Sequence, residues 1–243
     1  KREAKQVFKI FDLIIKTFIK QIIIYNIMSK NIIIFCAHND DNLFGAGGTM
    51  IKYAGEGLNI ITVIFCYGES SHPWLKKHVT KEMRKKECKE ANKIIGGGEI
   101  IYLGLKDPGM RDDIEKNKKT LKNKIRQTIR KYKPVKIFTH SSKDPHPDHK
   151  AVTNVLLEVL DKNEMKYDVY SYGVWNPIDI EQGKLPKLVV DISREYDTKL
   201  RALRCHKSQK ITMVSLLWNV IRKDFSNGLK NNCRFAEVFC KIR

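Results

Sequence analysis

Two short stretches concentrate the residues able to do chemistry. "AHNDD" (37–41) brings His38, Asp40 and Asp41 together, and "HPDH" (146–149) brings His146, Asp148 and His149 together. Two imidazoles and one carboxylate from this set make three ligands for a divalent metal. That is the pattern of a catalytic zinc, whose fourth position is kept for water. A structural site of four thiolates cannot be built from these residues. The surplus carboxylate of Asp40 suits a general base for the water such a metal activates. His146 suits a donor to the developing oxyanion or leaving group, with Asp148 orienting it.

Each stretch must be held by something rigid. "NIIIFCA" (31–37) and "VKIFTH" (135–140) are strand-like runs that end in the two clusters, and "NIITVIFC" (59–66), "EIIYL" (99–103), "YDVYSYGVW" (167–175) and "KLVVDI" (187–192) are further ones. Several are continuously apolar rather than alternating, as strands buried on both faces of a parallel sheet are. Helical patterns lie between them at 46–55, 79–95, 113–132 and 148–161. The second puts Val79, Met83, Ala91 and Ile95 on one face and stops at "GGG" (96–98), and the third has a stripe of Leu121, Ile125, Ile129 and Tyr132. Alternating strands and helices predict an α/β fold with right-handed crossovers, and catalytic groups at the carboxyl ends of the strands. Both clusters fall there.

The 243 residues suffice for one substantial core, with no repeat or linker to divide residues 29–243. Residues 1–28 read as an extension. Val7, Phe11, Ile14, Phe18 and Ile22 recur at helical spacing, flanked by lysines that make a spanning helix implausible. The segment is either an amphipathic helix lying on a membrane surface or a non-native start upstream of Met28. None of the six cysteines forms a C-x-x-C pair. They read as reduced, which places the chain in the cytoplasm, with peripheral membrane contact through residues 1–27 if the helix is real.

The net charge of +19 favours an anionic partner, or is the solvated surface of a lysine-rich chain. No zinc-finger, RNP-type or helix-turn-helix signature accompanies the basic helix at 113–132, so specific nucleic-acid binding is not expected. "GAGG" (45–48) fails as a dinucleotide fingerprint because its third glycine would fall at Met50. Tight helix–strand packing is the better reading. "GESSHPWLKKH" (68–78) reads as a loop over the site, with His72 and His78 exposed rather than bound to metal.

"AHNDD" with "HPDH" resembles the LmbE-like, PIG-L family of zinc-dependent de-N-acetylases, whose signatures read AHPDD and HPDH. "GAGGTMIKYAGEG" (45–57), "MRKKECKEANKIIG" (83–96), "YLGLKDPGM" (102–110), "KLRALRCHKSQ" (199–209) and "RFAEVFCKIR" (234–243) resemble further family elements in the expected order. The resemblance implies a Rossmann-like three-layer sandwich with a mostly parallel central sheet. It implies one Zn2+ on His38, Asp41 and His149, with Asp40 as general base, His146 as oxyanion donor and Asp148 as its partner. Arg84 and Asp107 match positions that contact the sugar. The chain departs from the family wording at Asn39, for a proline, and at Asn42, for a glutamate. Asp144 stands where some members carry a tyrosine.

The function expected is therefore removal of acetyl from an N-acetylglucosamine-type sugar or conjugate, phosphate-bearing or lipid-linked forms included. Two other readings compete. One is a non-catalytic, basic module that binds nucleic acid or anionic membrane on the same fold. The other is a deacylase of a non-sugar N-acyl substrate.

Overall fold

The run Ile32–Cys36 lies at the centre of the molecule, each residue no more than 1% exposed. Its side chains alternate across a sheet: Ile32, Ile34 and Cys36 enter one apolar cluster, and Ile33, Phe35 and Ala37 the other. A strand buried on both faces has no polar side to give up, which is why its sequence is apolar throughout. The structure, a computed structural model, describes residues 30–175 and 185–243. The expected amphipathic extension lies outside the described residues.

Seven strands form one sheet: β1 (Asn31–Cys36), β2 (Asn59–Cys66), β3 (Ile100–Leu105), β4 (Lys136–His140), β5 (Val169–Tyr172), β6 (Lys187–Asp191) and β7 (Ala236–Lys241). Their spatial order is β3-β2-β1-β4-β5-β7-β6. β1 to β5 pair in parallel, and β7 pairs antiparallel with both β5 and β6. From β1 the order runs to β2 and β3 on one side and to β4 and β5 on the other. Such a switch in direction opens a crevice at the carboxyl ends of the two central strands. The two polar clusters follow β1 and β4.

Helices cover both faces. On one lie α1 (Asp41–Gly55), α2 (Lys77–Ile94), α6 (Tyr196–Leu203) and α7 (Lys210–Lys230). On the other lie α3 (Met110–Lys116), α4 (Lys118–Tyr132) and α5 (Pro147–Lys162). The three-layer α/β sandwich expected from the sequence is thus the observed fold.

Several local expectations need correction. The helix read at 113–132 is two helices, broken at Asn117 (φ −106°, ψ 15°). The helix read at 46–55 begins at Asp41, because Asp40 already supplies the carbonyl that accepts from the Leu43 and Phe44 N–H groups. Val79 is 44% exposed. The face of α2 that turns inward is instead Thr80, Arg84, Glu87, Cys88 and Ala91, with Arg84 reaching Asp40 and Glu87 accepting from Ser208. The elements α6 and β7, seen in the sequence only as family-like stretches, and α7, not read from it, complete one face and the sheet.

Helix α1 is kinked at Ala46 (φ −147°, ψ 17°), which joins two helical segments. The N–H groups of Gly48 and Thr49, freed at the start of the second segment, donate to the two carboxylate oxygens of Glu237 at 2.9 and 2.7 Å. Lys199, fully buried, bridges Glu237 (2.7 Å) and Asp224 (2.6 Å). The "GAGG" segment packs as expected. A Cβ on Gly45 would lie 2.1 Å from Cδ2 of Tyr172, and one on Gly48 would lie 2.7 Å from Cδ1 of Ile192.

Candidate active site

The chain leaves β1 and turns through His38, Asn39 and Asp40 into α1. Asp41 closes this turn by accepting the backbone N–H of His38 at Oδ2 (2.7 Å). Asn39 is tied down from both sides: its amide donates to the Tyr67 carbonyl (2.7 Å) and accepts from the Tyr102 hydroxyl (2.8 Å). Replacing the family's proline therefore does not loosen the turn, since side-chain hydrogen bonds supply the restraint.

The second cluster opens α5. His146 is the N-cap, and its Nδ1 accepts the Asp148 backbone N–H at 3.2 Å, with Pro147 in the first turn. Neutral His146 then carries its proton on Nε2, the free donor position. Burial, reinforced by the neighbouring His149, lowers its pKa and favours that neutral form. The Asp148 carboxylate is less close to His146 (4.0 Å) than to Nε2 of His38 (3.7 Å). Both the backbone N–H and the carboxylate of residue 148 thus lie against Nδ1 of His146.

Between the clusters, His38, Asp41 and His149 offer ligand atoms all within 4.8 Å of one another, as do His38, His146 and Asp148. His149 Nε2 lies 3.3 Å from Asp41 Oδ1, and His38 Nδ1 lies 3.4 Å from Asp41 Oδ2. Burial works against ionised Asp41, but His149, His140 and His38 hold its carboxyl well below the usual range. Burial likewise opposes the charged form of His149, yet the Asp41 and Asp144 carboxylates push it up to about 9. Both ring nitrogens of His149 are buried and make no well-formed hydrogen bond among the described residues. A buried imidazole whose Nε2 faces a carboxylate and a second imidazole without a hydrogen-bond donor or acceptor of its own fits a divalent cation.

Two residues here were not singled out from the sequence. Asp144, read only as a replacement for tyrosine, is fully buried. Its Oδ1 lies 3.1 Å from Nδ1 of His149 and accepts the His146 N–H (3.0 Å), while Oδ2 accepts the Val174 and Trp175 N–H groups (3.0 and 3.2 Å). Against the effect of burial, His149 and these N–H groups bring its pKa to about 2. His140, the last residue of β4, accepts the Ala37 N–H at Nε2 (3.0 Å) and stacks on His149 with centroids 3.8 Å apart. Burial, with the neighbouring His149, lowers it to about 4, so it stays neutral. Its place at a strand end was the available signal.

Asp40 points elsewhere than Asp41. Its Oδ1 lies 3.2 Å from Nη2 of Arg84, a buried pair. Gly68 (φ +67°) makes room for that guanidinium, since a Cβ there would lie 2.5 Å from Nη1 of Arg84. Arg84, expected to contact the sugar, thus also restrains Asp40. Asp107 accepts the Ser70 N–H (3.1 Å), which ties the loop at 68–76 to the loop after β3. His38, Asp40, Asp41, Arg84, Asp107 and His146 share a cleft of about 260 Å³, also lined by Trp175, Gln209 and Leu216. His72 is half-buried against Trp74 and His78 is exposed, and neither joins the His/Asp groups.

Residues 33–160, just over half of the chain, match the profile of the family described as PIG-L, GlcNAc-PI de-N-acetylase. The chain belongs to this family. Both His/Asp clusters, Arg84, Asp107 and Asp144 fall inside the matched span. Among relatives, a probable N-acetyl-alpha-D-glucosaminyl L-malate deacetylase 2 of Bacillus cereus is 24% identical over 196 residues, 77% of this chain and 87% of that one. A 4-oxalmesaconate hydratase of Pseudomonas putida is 26% identical over 204 residues, 76% of each chain. Among solved structures, the N,N'-diacetylchitobiose deacetylase from Pyrococcus horikoshii superposes with a TM-score of 0.72 at 22% identity, covering 86% of this chain and 82% of that one. That likeness carries the fold.

Proposed function

We propose that the chain is a zinc-dependent deacetylase of an N-acetylglucosamine-type sugar conjugate, with residues 29–243 as its single catalytic domain. The observation that carries this reading is the convergence of His38, Asp41 and His149 in a family member, with His38 and Asp41 lining one cleft together with a second carboxylate, Asp40. His38, Asp41 and His149 would hold the metal. A zinc ion there supplies Lewis acidity and a water that ionises near neutral pH.

The chain's own groups do the rest. Asp40, held by Arg84, takes the proton from the attacking water. His146, with its proton on Nε2, donates to the oxygen that becomes negative as the acetamide carbonyl turns tetrahedral. The proton held at Asp40 then passes to the departing amine. Asp148 lies near His38 and can orient that imidazole; burial opposes the ionised form of Asp148, and His38 lowers its pKa. Arg84 and Asp107 face the same cleft and suit the hydroxyls of a sugar. The six free cysteines support a reducing, cytoplasmic setting.

A panel of N-acetylated sugars and sugar conjugates, assayed for acetate release with zinc and with chelator, tests the proposal. Release from a glucosamine conjugate that chelator abolishes is expected. Release only from non-sugar amides would move the substrate class. The hydratase relative gives a second reading, addition of water to a carbon–carbon double bond by the same base. Loss of an unsaturated acid's absorbance, without acetate release from any amide, would favour it.

A further inference from the structure

The chain has three tryptophans, and all three are exposed: Trp74 at 75%, Trp175 at 38% and Trp218 at 68%. Tryptophan is a residue that folding usually hides. One of them lines the cleft, and the other two lie near residues that do. Trp175 lines it directly, Trp74 follows Ser70 and Ser71, and Trp218 follows Leu216.

Trp218 is also part of a longer feature. On α7, Val214, Trp218, Phe225 and Leu229 are exposed at 75, 68, 46 and 63%. Their spacing of four, seven and four residues puts them along one side of the helix. The opposite side is buried through Leu216 and Val220, so this stripe has no place in the core. An apolar stripe this long on a surface helix calls for an occupant.

Charge decides among occupants. The single acid of α7, Asp224, is turned inward against Lys199. The exposed charges of α7 are therefore Lys210, Arg222 and Lys230, all positive. The run leading into the helix exposes Arg201, Arg204 and Lys207 as well. With +19 on the chain, a second copy would be repelled, while an anionic surface would be attracted. Tryptophan beside aliphatic residues and flanking cations is the composition of an element lying in a membrane interface. No helix among the described residues is long and apolar enough to cross a membrane, so the contact would be peripheral.

We infer that the exposed stripe of α7 docks on an anionic lipid bilayer. This binding goes beyond the deacetylase reading and is measured without turnover. The experiment is co-sedimentation of the full chain with phosphatidylcholine vesicles, with and without phosphatidylserine, alongside tryptophan fluorescence. Partitioning onto the phosphatidylserine vesicles is expected, weakened by salt, with a blue shift on binding, because Trp218 sits on the docking stripe. The triple variant Val214→Ser/Trp218→Ser/Leu229→Ser is expected to lose at least ~10-fold in partitioning with its circular dichroism unchanged. Lys210→Glu/Lys230→Glu, which spares the apolar residues, is expected to lose phosphatidylserine dependence.

Failure of the chain to partition would overturn the inference. So would partitioning that both variants retain, which would assign binding to another segment such as residues 1–27. A triple variant that changes only the oligomeric state would assign the stripe to a second copy. A blue shift produced by a soluble chito-oligosaccharide, with no vesicle binding, would assign the tryptophans to the sugar.

Discussion

Asp144 Oδ1 lies 3.1 Å from Nδ1 of His149, with both side chains fully buried. This contact fixes which nitrogen of the imidazole faces Asp41. A carboxylate behind a histidine ligand orients the ring and raises its basicity. Asp144→Asn is therefore expected to weaken zinc binding by about 10–100-fold, read by competition with a chromophoric chelator. Unchanged affinity would remove Asp144 from the site. The same variant reports on acid stability. Asp144 is held at about 2, below its unfolded value, so the stability it contributes is present above the ordinary carboxylate range and is lost as pH falls towards 2. The variant's melting temperature should vary less than the parent's over that window.

His149 predicts a proton count. Without metal its pKa is about 9, so near pH 7 the ring is protonated between two carboxylates. A metal can bind only the neutral imidazole, so zinc binding at neutral pH must release this proton. Calorimetry of zinc binding in buffers of different ionisation enthalpy should show the release, and affinity should rise as pH approaches 9. Binding heats independent of the buffer would contradict this.

Arg84 and Gly68 form a coupled pair. Gly68→Ala places a side chain at φ +67° and pushes it to 2.5 Å from the guanidinium. Left-handed backbone alone costs about 1–2 kcal/mol. The variant should lower turnover in the same way as Arg84→Gln, because both release the Asp40 carboxylate. Adding Arg84→Gln to Gly68→Ala should then change turnover little further, which a double-mutant cycle measures.

Lys199 is a positioning residue far from the reaction. It holds Glu237, which in turn takes the Gly48 and Thr49 N–H groups behind the kink of α1. Lys199→Met would leave two carboxylates buried without their cation, a loss of about 3–5 kcal/mol in stability by denaturant unfolding. A loss below 1 kcal/mol would show that the clamp does not hold the helix.

Much of this was legible from residue types. The runs at β1 and β4 are apolar without alternation because the strands are covered on both faces, and they end in polar clusters because the crevice opens there. The sequence left Asp144 and His140 unread, since a single aspartate in a loop or a single histidine at a strand end has no periodicity. Their importance comes from β4 and α5 bringing distant atoms together. The inward face of α2 was misread for a related reason. Val79 fits a helical stripe by spacing, but Arg84 turns in to Asp40 and Glu87 to Ser208, partners that no local spacing reveals, while Val79 turns out. Asn39 is a third case: its two hydrogen bonds are to β2 and β3 neighbours that no local pattern reveals.

The central claim is that His38, Asp41 and His149 hold zinc while Asp40 moves the proton. Acetate release from an N-acetylglucosamine conjugate, measured for Asp40→Asn and the parent chain at equal bound zinc, tests it most directly. The account predicts full zinc occupancy with turnover reduced by about 10²–10⁴-fold. Turnover near that of the parent, with zinc in place, would contradict it.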